Sequence, residues 1–125
     1  MVPFLVVFLG AGVGGALRHG INLAALRLAG PDFPWGTLFV NASGSLVMGI
    51  LIELFALKAD PGQNWRLLAT TGFLGGFTTF STFSLEAVVL FEAGRPLAAA
   101  AYVLGSVGAG LAGLLAGFAL IRALA

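Results

Sequence analysis

The 125 residues include no cysteine and one histidine. Disulfides and thiol chemistry are excluded, and a histidine-rich metal site cannot be built. Charge is nearly as scarce, at 9% of residues with a formal net charge of +1. A balance so close to zero carries no information about nucleic acid, and no such partner is expected. The opening Met1-Val2-Pro3-Phe4 has no basic cluster. The first apolar run is therefore expected to remain as a helix rather than be removed as a signal peptide. What the chain has in abundance is hydrocarbon: 59% hydrophobic residues and a mean hydropathy of +1.05. A soluble domain of this length cannot hide so much apolar surface. The composition specifies an integral membrane protein, and no appended soluble domain is expected.

Four apolar segments, roughly residues 3–28, 35–57, 64–91 and 96–123, each reach the ~20 residues needed to cross a bilayer. They are separated by Gly30-Pro31-Asp32-Phe33-Pro34, by Lys58-Ala59-Asp60-Pro61-Gly62-Gln63-Asn64 and by Ala93-Gly94-Arg95-Pro96. Each break pairs proline with glycine and carries charge, as turns between helices do. Loops this short make neighbouring helices antiparallel and put both termini on one side. That side holds Lys58, Arg66 and Arg122, whereas the other holds Arg27 and Arg95, with Arg18 if it is grouped with its nearer end. Orientation is normally set by an excess of Lys and Arg on one side. Here almost none exists, so an unseen partner sets the topology or the chain inserts both ways. A chain inserted both ways can pair with its inverted copy about an axis in the membrane plane. Four helices also make a thin pore wall, and a homodimer is expected.

The third segment contains Gly72-Phe73-Leu74-Gly75-Gly76-Phe77-Thr78-Thr79-Phe80-Ser81-Thr82-Phe83-Ser84. Adjacent glycines weaken a helix. Backbone freed at membrane depth is tolerated only where protein buries it or it lines a cavity, and broken spanning helices mark ion or substrate sites. The third helix is thus expected to break near its middle, in a chain that moves something across a membrane. Phe77, Phe80 and Phe83 recur every third residue, a spacing that by itself indicates packing or lipid contact. An aromatic ring also has a positive edge, which can replace part of an anion's hydration shell.

Polar residues inside the other segments need partners. Arg18 lies deep in the first, where an unpaired charge costs several kcal/mol, ~2.5–3.5 on insertion scales. It can snorkel and bond helix-end carbonyls, or it can draw anions into a vestibule. His19 beside it reads as interfacial. Thr37, Asn41 and Ser45 are spaced by four and share one face of the second helix, which must look onto protein or a water path. Asn41 can donate two hydrogen bonds and is read as pore-lining, with interhelical bonding as the alternative. Tyr102 and Ser106 are four apart in the fourth helix. Glu86 and Glu53 are carboxylates within spans, candidates for function or for local bonding. Gly10 with Gly14, and Gly105, Ala109, Gly113 and Gly117, form small-residue stripes suited to close packing.

Four motifs together resemble the Fluc (CrcB) family of small fluoride channels: Gly10 to Arg18, Pro34 to Asn41, Gly72 to Glu86, and Tyr102 with Ser106. The resemblance covers essentially the whole chain. It implies a dual-topology, antiparallel homodimer of four-helix chains, multi-pass in the cell (inner or plasma) membrane, that exports fluoride passively and protects against its toxicity; it implies no enzyme. It further implies a structural Na+ at the dimer centre, held by the backbone carbonyls of Gly75 and Thr78. Phe80 and Phe83 match pore-lining phenylalanines, Asn41 the pore asparagine, and Thr82 and Ser84 hydroxyls near the pathway. Tyr102 and Ser106 match the start of a polar track, and Arg18 the vestibule arginine. Two positions depart from the family pattern: His19 stands where an aromatic is frequent, and Gly110 where the track often continues with a hydroxyl.

Two other functions fit the size of the chain. A small multidrug-resistance-like, proton-coupled exporter needs a carboxylate in the first helix, which has no Asp or Glu. A non-transporting assembly subunit leaves the Thr-Phe-Ser-Thr-Phe string unexplained.

Overall fold

The computed structural model describes residues 1–125. Helix α1 runs Val2–Ala29 and α2 runs Trp35–Leu57. A third span, Gln63–Glu92, is built from α3 (Gln63–Leu67), a wider π-helical stretch (Leu68–Leu74), α4 (Gly75–Phe77) and α5 (Ser81–Glu92). Helix α6 covers Pro96–Leu124. Four helical spans, of 28, 23, 30 and 29 residues, are long and apolar enough to cross a membrane. Gly30 and Gly94 stop α1 and α5 in left-handed conformations, at φ 81° and 79°, which residues with a Cβ adopt only at a cost. Proline at the first turn starts α1 and α6, where its missing N–H has no helical acceptor in any case.

The chain is nearly inside-out relative to a soluble domain. Only 16 of its 125 residues are buried, and leucine, valine and phenylalanine cover the outside. With lipid as solvent, exposing such side chains costs nothing, and helices associate through close packing instead. Glycine supplies the closeness on two seams. Gly10 and Gly14 set α1 against the backbone of Leu68, Phe73 and Phe77, while Gly76 of the third span meets the backbone of Ala11. On the second seam Gly49, Gly113 and Gly117 bring α2 and α6 together: a Cβ on Gly49 would strike the Leu114 carbonyl, and one on Gly117 that of Leu46. The α6 stripe is used only in part, because Gly105 has no neighbour within 4 Å. As second and fourth spans, α2 and α6 run in the same direction. Two small cores flank the middle of the third span: Val40, Leu74 and Phe77 on one side, Phe83, Leu90, Ala99 and Tyr102 on the other.

Charges hold the ends. Arg122 bonds Glu53 at 2.7 Å, Lys58 donates to the Leu124 carbonyl at 3.1 Å, and Arg95 donates to the Asp32 carbonyl. In the loop before α3, Asp60 accepts from the Gly62 N–H at 2.9 Å and from Arg66 at 2.6 Å. The Gly62 N–H first, and Arg66 second, hold the exposed Asp60 carboxyl below its ordinary 3.8. A lowered carboxyl adds stability above its ordinary value and loses it as pH falls through the lowered one. Asp60→Asn should therefore weaken the loop at neutral pH and flatten its acid response, read as the pH dependence of amide exchange at Gly62.

A second prediction concerns the α1 seam. Gly14→Val forces a Cβ into the Phe73 carbonyl and should lower stability by about 1–3 kcal/mol. Gly12→Val, at a position with nothing within 4 Å, should leave it unchanged. Thermal unfolding in detergent compares the two directly.

Candidate functional site at the interrupted third span

Between α4 and α5 the backbone leaves the helical path. Thr78 is extended, with φ −89° and ψ 161°, and helix resumes only at Ser81. Each amide freed at this depth must find a partner. The Thr78 N–H still reaches the Leu74 carbonyl at 3.0 Å, and the Thr78 hydroxyl donates to the same oxygen at 2.9 Å. The Thr79 N–H turns to Asn41 Oδ1 at 2.8 Å, and Asn41 Nδ2 donates back to the Thr79 carbonyl at 2.9 Å. One side-chain amide thus clasps both polar groups of one residue. Next, the Thr82 N–H is accepted by Thr79 Oγ1 at 3.2 Å, which caps the start of α5. Arg18 Nε donates to the Gly76 carbonyl at 3.1 Å.

In an unbroken helix the Thr79 N–H would close onto the Gly75 carbonyl, and the Thr82 N–H onto that of Thr78. Both are diverted. The carbonyls of Gly75 and Thr78 lose their helical partners, and both residues line one groove between α2, the third span and α6. The groove has a volume of about 560 Å³, and Asn41, Phe80, Phe83 and Ser106 line it too. Phe80 is 79% exposed, whereas Phe83 is only 9% exposed. Their ring centroids lie 5.8 Å apart at 45°. Ring contacts continue from Phe83 to Tyr102, tilted at 5.1 Å, and from Tyr102 to Phe33, edge-on at 5.4 Å. This aromatic file leads toward a second cavity of about 320 Å³ beside the 30–34 turn, which Asp32, Thr37 and Glu86 help to line.

Six of the ten residues singled out from sequence come together in the groove: Asn41, Gly75, Thr78, Phe80, Phe83 and Ser106. Four lie elsewhere in the single chain. Tyr102 is fully buried beside it and donates to Glu86 Oε1 at 3.1 Å. Ser84 folds back onto the Phe80 carbonyl at 2.9 Å. Thr82 contributes its N–H to the cap, and Arg18 supports the Gly76 carbonyl from α1. Thus Arg18 bonds a helix-end carbonyl near mid-span rather than at the membrane surface, while His19 beside it is exposed. Thr79 is the residue that sequence reasoning passed over. Its signal was a threonine just ahead of a helical run, a residue type whose side-chain oxygen caps helix N-termini.

Two hydroxyls stand out because they are buried without a partner: Thr37 Oγ1 and Ser106 Oγ. Polar atoms in that state are rare in folded proteins. No cluster of three His, Cys, Asp or Glu side chains could hold a metal. The donors available to a cation are the freed carbonyl oxygens, hard ligands suited to a hard, weakly polarising ion.

The fold and groove define a multi-pass membrane protein with a site midway along its third span made of hydroxyls, one amide, aromatic rings and unpaired carbonyls. The family described as CrcB-like protein, Camphor Resistance (CrcB), matches residues 5–118. A protein of Methylobacterium nodulans called fluoride-specific ion channel FluC is 62% identical over 122 residues, 98% of each chain. Proteins with the same name in Granulibacter bethesdensis (52% identical, 99% of this chain and 98% of the other) and Rhodopseudomonas palustris (54%, 98% and 99%) are also similar. The chain belongs to the CrcB family.

Removing the clasp should be costly. Asn41→Leu leaves the Thr79 N–H and carbonyl unpaired and should destabilise by about 1–3 kcal/mol. Thr79→Val, which loses only the cap, should cost about 1 kcal/mol. Amide exchange at Thr79 and Thr82 should rise selectively, at Thr79 in the first variant and at Thr82 in the second.

Proposed function

We propose that this protein is a fluoride channel, working as an antiparallel homodimer of oppositely inserted chains and letting fluoride leave the cytoplasm passively. The observation that carries the reading is the groove. Phe80 and Phe83 line it beside hydrogen-bond donors that the protein leaves unused. Asn41 gives one N–H to Thr79 and keeps its second, and the buried Ser106 hydroxyl has no protein partner. A dehydrated anion needs donors of this kind. The names borne by the relatives point to the same ion.

Hydrogen fluoride crosses membranes as a neutral acid and dissociates in a less acidic cytoplasm. The trapped anion is driven outward by a negative interior potential, at ~2.3 kcal/mol per 100 mV. Ring edges and hydroxyls coordinate it without a full positive charge that would hold it in place. A narrow passage of this lining selects against chloride through size and the balance of dehydration. In the dimer, Thr82, Ser84 and Tyr102 flank the path, and Arg18 adds positive potential near mid-membrane. Gly75 and Thr78 of the two chains would hold a structural Na+ at the dimer centre through their backbone carbonyls, hard ligands whose freed state suits such an ion.

Two features support pairing with an inverted copy. Basic residues are balanced on the two sides, and Phe80 is largely uncovered in the single chain. An exporter centred on a first-helix carboxylate has no such group in α1.

Purified protein in liposomes loaded with potassium fluoride should release fluoride rapidly only after valinomycin is added, with little chloride release in a matched assay. Release that needs no ionophore and follows a pH gradient would identify a proton-linked transporter instead. Replacing both Phe80 and Phe83 with isoleucine should preserve the folded dimer and abolish release. Undiminished flux in that variant would remove the rings from the mechanism.

A further inference from the structure

Four hydroxyls of the spans are committed to their own backbone. Ser43, Thr70, Thr78 and Ser84 each donate to a carbonyl one turn back on their own helix, at 2.6, 2.7, 2.9 and 2.9 Å. Their protons are committed, as is usual for hydroxyls in apolar surroundings. Ser106 is different: its oxygen is buried in the groove without a partner. Ser45 also lines the groove, and it is not folded back onto its helix.

Its position is informative. Asn41 and Ser45 are one turn apart on α2, and Ser106 and Gly110 are one turn apart on α6, which runs in the same direction. A Cβ built on Gly110 would meet Ser45 Oγ at 3.5 Å. The α6 side of the groove therefore offers a hydroxyl at the level of Ser106 and nothing at the next turn. At that next turn the Ser45 hydroxyl reaches across from α2 and stands over the gap.

We infer that Ser45 is a fluoride-contacting residue, which takes over donation from Ser106 where α6 has only Gly110. This rests on the fluoride-channel reading above. The row of donors is then Asn41 and Ser106 at one level and Ser45 one turn further toward the side that holds the termini. An anion moving along the groove exchanges one hydroxyl for the next without crossing an undonated turn. The hydroxyl matters at this level; the helix that carries it does not.

The test moves the hydroxyl from one helix to the other. Ionophore-driven fluoride release is measured for the parent, Ser45→Ala, Ser45→Thr and the double variant Ser45→Ala/Gly110→Ser, after matching their melting temperatures and elution volumes. Loss of one hydrogen bond to a charged group should lower release about tenfold or more in Ser45→Ala. Ser45→Thr keeps the hydroxyl and should release fluoride at close to the parental rate. Gly110→Ser has room once Ser45 Oγ is gone, and the double variant should recover most of the loss. Parental flux in Ser45→Ala overturns the inference, as does a double variant no faster than Ser45→Ala. If the parent itself passes no fluoride, the channel reading fails and the role of Ser45 falls with it, which is a separate and recognisable result.

Discussion

Two hydrogen bonds between the Asn41 side chain and the peptide of Thr79 keep the third span from closing into a continuous helix. A side-chain amide has the same donor and acceptor as the backbone, so it can substitute for a helical neighbour at no loss of bonding. Everything distinctive about the groove follows. Thr79 turns toward α2, its hydroxyl becomes available to cap α5, and the carbonyls of Gly75 and Thr78 are released. Arg18 then takes up the Gly76 carbonyl from α1. The break is therefore braced from both seams of the fold and is not a loose point in the helix.

This economy suits a solvent of hydrocarbon. In water, freed carbonyls would be satisfied by solvent and would carry no meaning. In a bilayer each must be accounted for, so those left without an intrachain partner define a place. The aromatic residues divide in the same way. Phe77 and Phe83 are buried in the two cores, whereas Phe80, between them in sequence, projects from the break.

Much of this architecture was legible in the chain. The four spans follow from hydropathy and from the Pro-Gly turns, and the structure ends its helices within a residue or two of those limits. Groove residues were readable where a polar side chain stood against an apolar background, as at Asn41 and Ser106. The partners of those side chains were not. That Asn41 serves the backbone of Thr79, and Arg18 that of Gly76, depends on which helices touch and at what height, and periodicity within one helix is silent about that. The same limit explains the α6 stripe, in which Gly113 and Gly117 meet α2 while Gly105 faces open space. A small residue permits a contact but does not create one.

The glycine seams also govern how this sequence can drift. At Gly14, Gly49, Gly76 and Gly117 the opposing atoms belong to backbone, which has no alternative rotamer to adopt. A larger residue at one of these positions cannot be compensated by a smaller neighbour, because there is no side chain opposite to shrink. The lipid-facing leucines and valines are under no such constraint and can exchange freely among apolar types. Variation over generations should therefore accumulate on the outer surface and leave two thin, rigid tracks unchanged, so that divergence reads as an imprint of which faces meet lipid and which meet protein.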